Sequence, residues 1–115
     1  MRTVLIVDDH DSFRAWARRV LSDEGFDVIG EAPNGASAIS LARDLRPDIV
    51  LLDMVLPDMT GVDVAAEVGT STGATIVLTS SRDLADFGIE LRSPVAGFLP
   101  KAELSGLALE RLVGR

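Results

Sequence analysis

Residues 48–53 read DIVLLD, four branched aliphatic side chains closed at each end by aspartate. A strand with one wet face alternates apolar and polar residues, and this one does not, so both of its faces must be covered. Strands of that kind belong to parallel sheets with helices above and below. Four further short apolar runs can supply such a sheet: TVLIV (3–7), FDVIG (26–30), TIVLT (75–79) and AGFL (96–99). Strands alternating with helical segments define a doubly wound α/β fold with a five-stranded parallel sheet.

The helices are read from period 3.6. Phe13, Trp16, Ala17, Val20 and Leu21 form an apolar stripe, with Asp11 or Ser12 as the cap and Gly25 as the end. A second helix is expected over 34–46, with Ala38, Ile39, Ala42 and Leu45 inward and Pro47 as its stop. Residues 60–68 suit a short third helix. Residues 82–91 suit a fourth, with Leu84, Phe87 and Leu91 on one face, although Gly88 weakens it. A fifth is expected over 102–113, with Leu104, Leu107, Ala108 and Leu112 aligned.

At 115 residues, with 47% hydrophobic and 25% charged residues, the chain suits one folded domain spanning 1–115. A formal charge of −7 argues against gripping a nucleic-acid backbone directly. No cysteine is present, which removes disulfides and thiolate chemistry. The N-terminus lacks the features of a signal peptide, and no apolar stretch is long enough for a membrane span, so a cytoplasmic protein without membrane partners is expected.

Ligands of doubly wound sheets bind beyond the carboxyl ends of the strands. Reading each run to that end gives Asp8 and Asp9, then Asp53, then Thr79 and Ser80, then Lys101. Two carboxylates about 4 Å apart at an effective dielectric near 20 repel by roughly 4 kcal/mol, so the cluster needs a cation, protonation or water. Mg²⁺, which prefers oxygen ligands and keeps places for water and phosphate, meets that need. A carboxylate beside it can act as a nucleophile toward phosphorus. Thr79 can hydrogen-bond a phosphoryl oxygen and Lys101 can neutralise another. His10 reads as an exposed loop histidine, Trp16 as core, Asp58 and Asp63 as facing water, and Gly61 as serving turn geometry.

The acidic pair DD after the first strand, LLDMVLPDMTG around Asp53, the TS pair at 79–80 and GFLPK at 97–101 stand in an order that resembles the receiver domain of two-component response regulators. The resemblance covers essentially the whole chain. DDHDSFR and GFLPKAEL are similar to receivers that precede helix-turn-helix output domains, although Ala102 stands where many receivers carry proline. It implies a flavodoxin-like sheet of order 2-1-3-4-5. It also implies that Asp53 is the phosphoacceptor for a sensor histidine kinase, with Mg²⁺ held by Asp8, Asp9, Asp53 and the backbone carbonyl of Val55. Thr79 and Phe98 would be the switch residues and Lys101 the cationic partner of the phosphate.

On that reading the chain is a phosphorelay switch rather than an enzyme, catalysing only its own phosphotransfer and dephosphorylation. The face built from 82–91, 96–99 and 102–113 would change its affinity for an output domain, a partner protein or a second copy of the chain. Two other functions fit parts of the sequence. One is a receiver-like scaffold without phospho-signalling. The other is a Mg²⁺-dependent phosphohydrolase using Asp9 as nucleophile.

Overall fold

The computed structural model describes residues 1–88, 90 and 95–114. Its elements are β1 (Thr3–Val7), α1 (Asp11–Asp23), β2 (Asp27–Ala32), α2 (Gly35–Leu45), β3 (Ile49–Asp53), α3 (Gly61–Thr72), β4 (Thr75–Ser80), β5 (Val95–Pro100) and α4 (Gly106–Val113). Short 3-10 turns cover Leu84–Phe87 and Lys101–Glu103. All strand pairs are parallel, in the order β2-β1-β3-β4-β5. This is the flavodoxin-like arrangement.

The doubly apolar character of β3 is explained by what covers it. Val50 and Leu52 join Leu5, Val7, Ile76 and Leu78 in a core that includes Ala38 and Ala42 of α2 and Val64 and Val68 of α3. Ile49 and Leu51 join Val4, Ile6, Val77 and Leu99 in a second core with Ala17 and Leu21 of α1 and Leu109 of α4. Successive strand residues point to opposite faces, so one run of four feeds both cores.

Several expectations are corrected. Trp16 is 41% exposed rather than core, although its ring lies 5.9 Å from that of Phe13. At about 100° per residue it sits roughly 120° from the midpoint of Ala17 and Leu21, beyond the buried stripe. Leu45 is 39% exposed, near the edge strand β2 of the sheet, where its Cδ1 leans over Gly30. His10, not Asp11 or Ser12, occupies the N-cap position of α1, with no side-chain cap bond.

The third helix is longer than expected, running to Thr72 through the GTST stretch. Thr70, Ser71 and Thr72 each donate a hydroxyl to the carbonyl four residues back, which satisfies these polar side chains within the last turn of the helix. Among the described residues of 82–91, helical structure is the 3-10 turn Leu84–Phe87, closed by Gly88 at φ +61°; Leu91 lies outside the described residues. The fifth is split. Ser105 accepts from Ala108 N at 3.0 Å and starts α4 afresh, so Leu104 belongs to a separate turn.

Candidate functional site

Asp8 follows β1 immediately, Asp53 ends β3, Thr79 is the register partner of Asp53 on β4, and Lys101 opens the turn after β5. The fold thus delivers four residues from separate segments to one edge of the sheet.

Asp8 is fully buried. Its carboxylate accepts from His10 N at 2.9 Å and lies 3.0 Å from His10 Nδ1, while Lys101 Nζ stands 2.6 Å from its other oxygen. That last contact is a close ion pair off the angle of a hydrogen bond. The ammonium also lies 3.4 Å from Asp53 Oδ2, so one cation serves two carboxylates. Burial, and then the neighbouring Asp8 carboxylate, push the Asp53 carboxyl above the ordinary range, while Lys101 and the Val55 N–H pull the other way.

Asp9 is more exposed and lies 3.2 Å from His10 Nδ1. Donor atoms of Asp8, Asp9, His10 and Asp53 all lie within 4.8 Å of one another. Among the described residues, the Thr79 hydroxyl, beside Asp53, is buried without a hydrogen-bond partner. Three aspartates with hard oxygen donors fit Mg²⁺, and an orphaned buried hydroxyl is a group awaiting an acceptor.

Other sequence-predicted residues fall nearby with less definition. Val55 is 55% exposed and donates its N–H to Asp53 Oδ1 at 3.3 Å. Phe98 pairs with Leu78 and packs, partly buried, toward the α2–α3 core. Ser80 is buried and accepts from Arg82 N at 3.0 Å.

Sequence reasoning missed four supports. Lys101 Nζ sits 4.7 Å over the Phe13 ring, a cation–π contact that steadies the ammonium. Arg14 donates to the Asp8 carbonyl at 2.5 Å and to Glu31 at 3.2 Å. The Nδ1 of His10 faces two carboxylates rather than water alone. Asp58, exposed as expected, nonetheless accepts from Gly35 N at 2.7 Å and Ala36 N at 3.0 Å, tying the loop after Asp53 to the start of α2. The Gly35 N–H foremost, then that of Ala36, holds its carboxyl below the usual range. Helix-start N–H groups seek such acceptors, but the donor lies 23 residues away in sequence, so local reading had no signal for it.

Residues 4–111 match the family model of the response regulator receiver domain. The chain belongs to that family, the signalling receivers of two-component systems. It is 41% identical over 101 residues to the DNA-binding response regulator MtrA of Mycolicibacterium smegmatis, covering 85% of this chain and 43% of that protein. The signal receiver domain of a modulated diguanylate cyclase from Desulfovibrio desulfuricans superposes with a TM-score of 0.84 at 34% identity, covering 98% of this chain and 90% of that one. A LuxR-family two-component response regulator from Aurantimonas gives 0.86 at 27% identity, covering 100% and 87%. The chain spans about half the length of the curated relatives it matches first. Among the described residues, no helix is long and apolar enough to cross a membrane.

Proposed function

We propose that this receiver is a phosphorylation switch that takes a phosphoryl group on Asp53 from the phosphohistidine of a sensor kinase. An Asp53 oxygen attacks phosphorus, the phosphorus–nitrogen bond breaks and the imidazole leaves with its electron pair. The observation that carries the reading is the buried Asp53 with Lys101 at 3.4 Å and the unpartnered Thr79 hydroxyl one strand away.

Asp8, Asp9, Asp53 and the Val55 carbonyl would hold Mg²⁺, which when bound supplies positive charge against the incoming phosphoryl oxygens. Lys101 neutralises one phosphoryl oxygen, and the Thr79 hydroxyl turns to donate to another. Phe98 then shifts its packing, and the face of β5, α4 and residues 84–88 changes its affinity for an output domain, a partner protein or a second copy of the chain. The cause is a new dianion making different contacts in two states. The domain acts in the cytoplasm and on its own aspartate only.

Incubation with acetyl phosphate and Mg²⁺, followed by intact mass spectrometry, tests this. One phosphoryl adduct is expected, absent with EDTA and in Asp53→Asn. If wild type shows no adduct and Mg²⁺ titration with beryllofluoride shows no binding, the chain is a scaffold. An adduct that survives in Asp53→Asn moves the chemistry to Asp9.

A further inference from the structure

The acid cluster carries one donor that the proposed phosphotransfer does not use. His10 Nδ1 lies 3.0 Å from Asp8 Oδ1 and 3.2 Å from Asp9 Oδ1, and belongs to the same four-residue group as Asp53. Neighbouring ligands on an octahedron with bonds of about 2.1 Å stand about 3.0 Å apart. The nitrogen therefore stands from each of the two oxygens as one ligand of a small ion stands from its neighbour, and all the donor atoms of the group lie within 4.8 Å of one another.

The surroundings independently call for a ligand. Thr79, 1% exposed, has a hydroxyl with no partner and sits in register with Asp53, so both side chains leave the sheet on the same side. His10 itself is held by its backbone N–H on Asp8 and by its position opening α1, while its ring remains 65% exposed. An ion and its waters can reach that ring.

We infer that His10 is a fourth side-chain ligand beside Asp8, Asp9 and Asp53, giving this site a second ion class: imidazole-seeking divalent transition ions of the Ni²⁺ type, bound at the place proposed for Mg²⁺. The inference rests on that reading of the acid cluster as a cation site. Imidazole adds nothing for Mg²⁺ but raises affinity along the series from Mn²⁺ to Ni²⁺. The sequence isolates the effect, since it holds one histidine and no cysteine. Any nitrogen-dependent selectivity must come from His10 or the chain terminus.

The test is calorimetric titration of tag-free protein with Mg²⁺ and with Ni²⁺, on wild type, His10→Gln and Asp53→Asn. In wild type Ni²⁺ should bind more tightly than Mg²⁺ and be displaced by excess Mg²⁺. His10→Gln should weaken Ni²⁺ by about tenfold or more while leaving Mg²⁺ within about twofold. Asp53→Asn should weaken both. An unchanged ratio of Ni²⁺ to Mg²⁺ affinity in His10→Gln overturns the inference. So does Ni²⁺ binding that depends on His10 but that Asp53→Asn leaves unchanged, because the ring would then act alone. Tighter Mg²⁺ binding in His10→Gln also overturns it, since the ring would be a competing donor to the carboxylates. Failure of the phospho-switch reading looks different: wild type would bind no Mg²⁺, while His10-dependent Ni²⁺ binding that Asp53→Asn weakens would stand.

Discussion

Asp48 and Asp53 sit at the two ends of one strand and have opposite environments. Asp48, just before β3, accepts from Thr3 N at 2.9 Å, and Thr3 Oγ1 accepts from Asp48 N at 2.9 Å. The Thr3 N–H is the main reason its carboxyl lies below the usual range. Asp53, at the other end, is buried beside Asp8, and its carboxyl lies above that range. One aspartate fastens two strands at their amino ends. The other is kept ionisable where ionisation is costly, which is the mark of a reactive group more than of a fastener.

The largest break in that contrast should come from Lys101→Met. Asp8 and Asp53 would lose their shared cation, and removing one partner of a buried pair costs about 3 kcal/mol. Urea unfolding without divalent ions should show that loss, and added Mg²⁺ should recover much of it. No recovery would mean that the acid cluster does not hold the ion.

Asp53→Asn should act in the opposite direction and less strongly. A carboxyl whose folded pKa is raised stabilises most below its ordinary pKa, and that contribution is lost as pH rises through the folded value. At pH 7 the charge opposes folding, so the amide should stabilise the domain by about 1 kcal/mol in metal-free buffer. Thermal unfolding at pH 7 and near pH 4 checks this, with the gain shrinking in acid.

Asp48→Ala should give the smallest change, a loss of about 0.5 kcal/mol, because the site is exposed and screened. Here the sign reverses. A lowered carboxyl stabilises above its ordinary pKa, so the loss should fade as pH drops through the folded value. A fading loss at Asp48 beside a fading gain at Asp53 would sharpen the comparison to a single experiment.

The strands and the convergence of Asp8, Asp53, Thr79 and Lys101 were legible because burial on both faces leaves an unmistakable apolar run, and polar residues at its end have nowhere else to go. Trp16 was misread because an apolar residue at helical spacing need not lie at the centre of the buried arc. The last helix was misread because Leu104 and Leu107 align on paper, whereas the Ser105 cap restarts the helix between them. Phe13, Arg14 and Asp58 support the site through contacts across elements, which no local pattern encodes. His10 was legible as a neighbour of the acid pair but not as facing it, since backbone direction at the start of α1 decides that.

Gly61 ends the same loop that Asp58 anchors. It was expected to serve a turn, but its φ is not positive; what it supplies is closeness. A Cβ there would meet the Asp53 carbonyl oxygen at 2.4 Å, and its N–H donates to the Met54 carbonyl at 2.8 Å. In a saturation mutagenesis screen scored by signalling output, position 61 should therefore rank with the acid cluster, although it carries no side chain and performs no chemistry. A site map drawn from such a screen would enclose a residue whose whole contribution is the space it leaves empty.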